Sequence, residues 1–248
     1  MPSLSNLDSA ISRVTCEQES SGKALGIIVA GHNGSGKSTM WNERLAGSLK
    51  IPLINADRMM LSILPEPRPP SGRIPGWASE LRDTNETWMR VAQKSVQGFV
   101  ANAMARKVAF AKETVFSHWV EHSDGRIDSK ICEIRDLQIS GYYVVLLFVG
   151  LTNVNLSIGR VATRVLQGGH AVDTGKLVAR FPRTQKAIGK ASLVADANIM
   201  MDNSRTEKEA FTVCRVQLRN EVFYDIRKSR RKTPVEIQSW LDTVAPCY

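Results

Sequence analysis

The sequence predicts an α/β fold: a five-stranded parallel sheet flanked by helices, with a helical lid and a C-terminal β-hairpin. Three observations predict it. Short apolar runs alternate with helical segments, the pattern of a parallel sheet wound with crossover helices. The first apolar run leads directly into Gly31-His32-Asn33-Gly34-Ser35-Gly36-Lys37-Ser38-Thr39, which fills the G-x-x-x-x-G-K-[ST] phosphate-loop pattern in its strand–loop–helix context. Beyond residue 204 the alternation ends, and two β-type runs flank Arg219-Asn220-Glu221.

Taken in order, residues 1–22 are polar and read as a weakly helical or loose N-terminal arm, without the apolar region of a signal peptide. Residues 24–30 form the first strand. The phosphate loop follows, then a helix to about Leu49. Ile51-Pro52-Leu53-Ile54-Asn55 is a second short strand, with Pro52 at its start, where a missing N–H is tolerated. Residues 62–77 carry Pro65, Pro67, Pro69, Pro70 and Pro75 and read as a long structureless loop. Thr84 to Arg106 is a long helix with Trp88, Val91, Val96, Phe99, Val100 and Ala103 on one side. Lys107 to Ala111 is the third strand. Ile127 to Ile139 is a helix ended by Gly141. Tyr142 to Val149 is a fully buried fourth strand. Helices at 154–167 and 173–190 are joined by Gly168-Gly169-His170, and Ala197 to Met201 is the fifth strand. Phe211 to Leu218 and Val222 to Ile226 make the hairpin, and a helix from Pro234 to Val244 closes the chain, with Pro at its first turn. This divides the chain into an arm (1–22), a core (23–204, lid at about 157–190) and a C-terminal hairpin and helix (205–248).

At 248 residues and 43% hydrophobic content the chain can bury a sizeable core. Cys16, Cys132, Cys214 and Cys247 lie far apart with no C-x-x-C pair, which argues against a zinc ribbon or a disulfide framework and for a reducing, cytoplasmic location. The longest apolar stretch, Tyr142 to Leu151, is too short to span a bilayer as a helix, so no membrane role is expected. The net charge of +9 is uneven: residues 157–190 hold seven Lys/Arg against Asp173 alone, and residues 205–232 hold nine against four acids. Such segments suit an anion site, a polyanion partner or a plain solvated face.

The chemistry centres on the phosphate loop. Its glycines let successive N–H groups face one point, and the helix N-terminus adds partial positive charge there. Gly31, Asn33, Gly34, Ser35, Gly36, Lys37, Ser38 and Thr39 are thus the expected ATP cradle. Lys37, exposed when the site is empty, would reach the β- and γ-phosphates, and Ser38 would hold Mg²⁺. Asp57 follows the second strand, at the sheet's carboxyl edge where ligands bind, and could accept a proton from an attacking hydroxyl or hold Mg²⁺ through water; alternatively it caps the next helix. Glu113 and Thr114 follow the third strand, with Ser117 and His118 close behind, all able to bond substrate hydroxyls. His118-Trp119-Val120-Glu121-His122 also matches H-x-x-E-H, two histidines that could share a metal on a helix. This is set aside because Gly125 stops such a helix early and no third ligand follows. Arg160, Arg164, Arg180 and Arg183 lie in the glycine-linked basic segment. They suit a lid that closes on substrate, excludes water and stabilises a transferring phosphoryl group. No long hydrophobic strand ends in an Asp-Glu pair, which disfavours a mechanical ATPase.

These pieces together resemble the zeta-toxin family of phosphate-loop kinases. The shared pieces are Ala30 to Thr39, Asn55-Ala56-Asp57, Glu113 to Ser117, Gly141-Tyr142, Arg160-Val161 through Gly168-Gly169-His170-Ala171-Val172, Arg180, and Asp202-Asn203-Ser204, in the family's order over residues 24–204. The resemblance implies a P-loop kinase fold and an ATP- and Mg²⁺-dependent enzyme that phosphorylates a sugar hydroxyl of a UDP-N-acetyl amino sugar, with an antitoxin protein as partner. Some relatives phosphorylate other nucleotides, including the adenosine ribose of NAD. By that resemblance Lys37 binds phosphate, Asp57 is the base, Glu113 contacts substrate, and Arg164 with Arg180 stabilises the transferring group. Two positions depart from the family: its substrate-contacting Thr, two residues after the strand-end Glu, is Val115 here, and its acid on the preceding helix has no match near Gln97. A polynucleotide-end kinase remains an alternative. The low aromatic content, 6%, argues against the base-stacking platforms that nucleic acid would need. A nucleotide-dependent binding module is a third alternative.

Overall fold

The computed structural model describes residues 4–66, 74–230 and 232–246. The chain opens with α1 (Leu7–Ser21), then β1 (Ala24–Gly31), α2 (Lys37–Met40), a π-helical stretch (Trp41–Leu45), α3 (Ala46–Leu49), β2 (Leu53–Ile54), α4 (Ala56–Ser62), α5 (Gly76–Asp83) and α6 (Glu86–Arg106). It continues with β3 (Phe110–Thr114), β4 (Trp119–Glu121), β5 (Ile127–Ser129), α7 (Ile131–Ile139), β6 (Tyr142–Gly150), α8 (Val154–Leu166) and α9 (Thr174–Ala191). It ends with β7 (Ala197–Asp202), β8 (Thr212–Leu218), β9 (Glu221–Asp225) and α10 (Val235–Val244).

The main sheet has seven strands rather than five, in the order β2-β3-β1-β6-β7-β8-β9. The first five are mutually parallel, as the alternating pattern predicts. The C-terminal hairpin is present but pairs antiparallel with β7 and so extends the same sheet. The reason lies in β8, where Val213, Cys214, Val216, Gln217 and Leu218 are all buried and need cover on both faces and an edge partner.

Side-chain alternation splits the core in two. Ile28 and Ala30 of β1 join Tyr142, Val144, Leu146 and Phe148 of β6 on one face, under α7, α9 and α10. Ile27 and Val29 join Tyr143, Val145, Leu147 and Val149 on the other. The second face is covered partly by α1, whose Leu7, Ala10, Ile11 and Val14 are buried at helical spacing. Leu7–Ser21 therefore form a packed helix, capped by the Asn6 side chain and stopped by Gly22 in the left-handed region: of the two readings of this arm, the helical one holds and the loose one does not.

Three boundaries differ from expectation. The third strand lies three residues later, at Phe110–Thr114, because Lys107 caps α6 in a left-handed conformation. Glu113 and Thr114 are thus the strand's last residues, in register with Val29 and Ala30, rather than its successors. The helix expected over 127–139 starts only at Ile131; Ile127–Ser129 pairs instead with Trp119–Glu121 as a two-stranded hairpin turning at Gly125. His118 and His122 therefore flank a short strand, and four residues of extended chain span about 13 Å, too far for one ion to bridge. The expected loop over 62–77 is shortened by α5, with Pro75 as its N-cap; Pro67, Pro69 and Pro70 lie outside the described residues. In α6 the inward face is Ala92 and Val96, with Val100 and Ala103 packed against the core, whereas Val91 and Phe99 are exposed. No helix among the described residues is long and apolar enough to cross a membrane.

Candidate active site

The phosphate loop leaves the carboxyl end of β1 and is clamped from two sides. From below, Asn203 Nδ2 donates to the Ser35 carbonyl at 2.9 Å, and a Cβ on Gly36 (φ +89°) would lie only 2.7 Å from that same nitrogen. From above, Ser157 Oγ of α8 donates to the Asn33 carbonyl at 2.7 Å. The Asp202-Asn203-Ser204 segment is itself braced. Asp202 accepts from the Ser204 N–H at 3.0 Å and from Arg205 Nε at 3.1 Å, and Ser204 Oγ accepts from the Thr152 N–H at 2.8 Å. Its place at the end of β7, two strands from β1, is what lets it hold the loop.

Lys37 is buried, against the expectation of an exposed side chain. Its ammonium donates to the Gly31 carbonyl at 3.1 Å and the His32 carbonyl at 2.9 Å, with Glu113 Oε1 at 4.0 Å. The loop's own carbonyls thus solvate the charge. Burial lowers the Lys37 pKa most; Glu113 and Asp57 oppose that shift, and Arg164 adds to it. These four charged groups therefore share one neighbourhood.

Ser38 Oγ, in the first turn of α2, lies 2.9 and 3.1 Å from the two Glu113 oxygens. A hydroxyl and a carboxylate side by side at a phosphate loop are hard oxygen donors that fit Mg²⁺, which takes one or two protein ligands and fills its octahedron with phosphates and water. No group of three or more His, Cys, Asp or Glu is poised for a metal among the described residues. Asp57 sits in the first turn of α4, but Asn55 does the capping, accepting from the Asp57 and Arg58 N–H groups. The Asp57 carboxylate is exposed and makes no hydrogen bond to a described residue.

Alternation along β3 sends Thr114 to the opposite side from Glu113. Thr114 Oγ1 accepts from the largely buried Lys130 ammonium and, at 3.3 Å, from the Phe116 N–H. Burial lowers the Lys130 pKa, opposed by Glu133 and reinforced by Lys112 and Arg180. Ser117 is half-buried. His118 is exposed and paired with Asp128 at 2.9 Å on the small hairpin, and no described contact links it to the loop.

The two basic helices close over this centre. Arg164 Nη2 donates to the His170 carbonyl at 2.7 Å. Arg180 stands with His32, Asn33, Val115 and Thr184 around a narrow crevice. His32, 2% exposed, stacks on Phe181 of α9 with ring centres 4.0 Å apart. Burial and the nearby Lys37 charge push its pKa down to about 3, against a backbone contact from Phe181. The link between the helices is tied down in turn by α5. Arg82 donates to the Gly168 carbonyl at 2.8 Å and to Asp83 through two nitrogens, and Asp83 Oδ1 lies 2.7 Å from His170 Nδ1. Burial works against the Asp83 carboxylate, but the bonds from Arg82 and His170 outweigh it and keep its pKa below the usual range.

The fold thus brings Lys37, Ser38 and Glu113 together, sets the Asp57 and Arg164 charges near enough to act on Lys37, and leaves His118 aside. Sequence reasoning missed Arg82, Asp83, Lys130 and Ser157, and the jobs of His32 and Asn203. Asn203 lies in Asp202-Asn203-Ser204, which the resemblance had already marked; the others carry no local signal.

No protein-family model and no curated protein sequence matches the chain. Solved structures match it in fold. A chain of the AvrRxo1-ORF1:AvrRxo1-ORF2 complex superposes with a TM-score of 0.59 at 13% identity, over 97% of this chain and 70% of that one. The same complex with ATP gives 0.58 at the same identity and coverage. A chain from the PezAT chromosomal toxin–antitoxin system of Streptococcus pneumoniae gives 0.51 at 11% identity, over 97% of this chain and 89% of that one. At such identities the likeness is one of fold: this chain is built as those chains are, on a mostly parallel sheet flanked by helices.

Proposed function

We propose that the protein is an ATP-dependent phosphotransferase that moves the γ-phosphate of ATP to a sugar hydroxyl of a nucleotide. A UDP-N-acetyl amino sugar is the first acceptor and the adenosine ribose of NAD the second. The observation that carries this reading is Ser38 against Glu113 beside the buried Lys37 on one clamped phosphate loop, with the Asp57 and Arg164 charges near enough to act on Lys37. The ATP-bound neighbour of the same fold supports it.

ATP phosphates would displace the Gly31 and His32 carbonyls as partners of the Lys37 ammonium, so the lysine enters the site already aimed along the loop. Ser38 would hold Mg²⁺ with Glu113 beside it, and the ion would neutralise the β- and γ-phosphate charge. This moves Glu113 to the nucleotide side of the site, away from the acceptor. Asp57, with no competing hydrogen bond to a described residue, would take the proton of the attacking hydroxyl as its oxygen bonds to the γ-phosphorus. The bond from that phosphorus to the β–γ bridging oxygen breaks, and ADP leaves. Arg164 and Arg180 would stabilise the transferring phosphoryl group from the lid.

We infer further that the protein is a toxin held in check by an antitoxin protein and acts in the cytoplasm. One fold neighbour belongs to a toxin–antitoxin system and another was solved in complex with a second protein, which supports the first; exposed Cys16 and Cys132 support a reducing compartment. The deciding measurement is ATP consumption alone and with UDP-sugars, NAD or single-stranded DNA, with transfer of radiolabel to the acceptor. Label on a UDP-sugar or NAD is the expected result. Label only on DNA or RNA ends would replace this reading with a polynucleotide-end kinase, and ATP bound but never consumed would reduce the protein to a binding module.

A further inference from the structure

The lid is held in shape from outside itself. Arg82 and Asp83 end α5, an element with no part in the phosphate loop. Arg82 is 7% exposed, so its guanidinium has given up water for chosen partners. It bonds both Asp83 oxygens, at 2.7 and 2.8 Å, and donates to the carbonyls of Gly168 at 2.8 Å and Gly169 at 3.5 Å. Asp83 Oδ1 also takes His170 Nδ1 at 2.7 Å. Three consecutive residues of the link between α8 and α9, Gly168, Gly169 and His170, are therefore gripped by two consecutive side chains.

The link in turn grips Arg164. The His170 carbonyl accepts from Arg164 Nη2 at 2.7 Å, so one residue is held through its ring by Asp83 and holds Arg164 through its backbone. There is no slack at the neighbouring position: a Cβ on Gly169 would lie 2.5 Å from Arg164 Cγ. We propose that Arg82 and Asp83 are positioning residues, which lock Gly168-Gly169-His170 in the shape that aims the Arg164 guanidinium at the phosphate loop. The proposal rests on the reading of Arg164 as a phosphoryl-stabilising group. Positional errors of about 1 Å at such a group cost up to about a hundredfold in rate, so a loosened link is measurable.

The test uses the full chain and ATP hydrolysis with water as acceptor, so that no acceptor need be known. Arg82→Ala, the near-isosteric Asp83→Asn, Arg164→Ala and the double variants Arg82→Ala/Arg164→Ala and Asp83→Asn/Arg164→Ala are compared. Each of the first two variants is expected to lower kcat about tenfold while KM for ATP stays within about twofold, because the lid contact matters most in the transition state. Neither should lower turnover further once Arg164 is gone, and Asp83→Glu should recover part of the Asp83→Asn loss. Limited proteolysis should cut Asp83→Asn faster than the parent within the Gly168–His170 link. Equal fold-losses with and without Arg164, or unchanged turnover in Asp83→Asn, overturn the proposal while leaving the kinase reading intact. If Arg164→Ala alone has no effect, the lid role in the proposed function fails, and this inference with it.

Discussion

His32 makes the acid stability of this protein predictable. Its imidazole is 2% exposed, stacked on Phe181, and has its pKa pushed down to about 3. In the unfolded chain a histidine titrates near 6.5. Between these two values the unfolded state binds a proton that the native state refuses, so stability rises with pH across that window and is lost on acidification below about 6.5. At pH 5 the difference is about 2 kcal/mol, and at pH 7.5 close to zero, from 1.36 kcal/mol per pH unit. For a chain of this size that corresponds to a melting temperature about 4–8 °C lower. Acidification acts on the whole protein, so the quantity to measure is a double difference. His32→Phe keeps a ring between Phe148 and Phe181 and removes the titrating group. Urea or thermal melts at the two pH values should show His32→Phe losing about 2 kcal/mol less than the parent on acidification, whatever its absolute stability. Identical losses in the two proteins would mean that His32 is not buried neutral beneath the lid, and the reasoning would be wrong.

Asp57→Asn keeps the shape but removes the proposed base; ATP should still bind, measured by calorimetry, while the transfer rate falls by roughly 10²–10⁴. An unchanged rate would leave Asp57 without a role. Arg164→Ala and Arg180→Ala should lower kcat more than they raise KM for ATP in steady-state kinetics, since their contacts tighten in the transition state. A pure KM effect in both would make them ordinary phosphate ligands. Glu113→Gln should raise the Mg²⁺ concentration for half-maximal turnover, because Glu113 lies against Ser38. A rise only in the acceptor's KM would return Glu113 to the substrate side.

The readable parts of the site are those that local chemistry specifies. The phosphate loop is legible because glycines, Lys37 and Ser38 must stand at fixed spacing on one short segment. The buried strands are legible from unbroken apolar runs such as Tyr142 to Leu151. Boundaries fail where two propensities meet: Lys107 to Ala111 could end a helix or begin a strand, and only the pairing of β3 with β1 settles that Glu113 faces Ser38. The β4–β5 hairpin escaped notice because three-residue strands carry almost no period, although Asp124-Gly125 was the available signal for its turn. Residues 1–22 read as a weakly helical or loose arm because Leu7, Ala10, Ile11 and Val14 are a thin stripe among polar neighbours, and their burial depends on a sheet face that later residues build.

Local patterning specifies the α/β class, the five parallel strands, the phosphate loop and a basic, glycine-linked pair of helices. It takes long-range packing to make the hairpin extend the sheet, to bury Lys37 on its own loop's carbonyls, to lay His32 under Phe181 and to bring Arg82 and Asp83 onto the lid. The physical reason is separation along the chain. A strand or a phosphate loop is specified by neighbours within about ten residues, through period and backbone geometry. Arg82 meets Gly168 across 86 residues and Asn203 meets Ser35 across 168. Such a hydrogen bond exists only once packing has brought the two segments together.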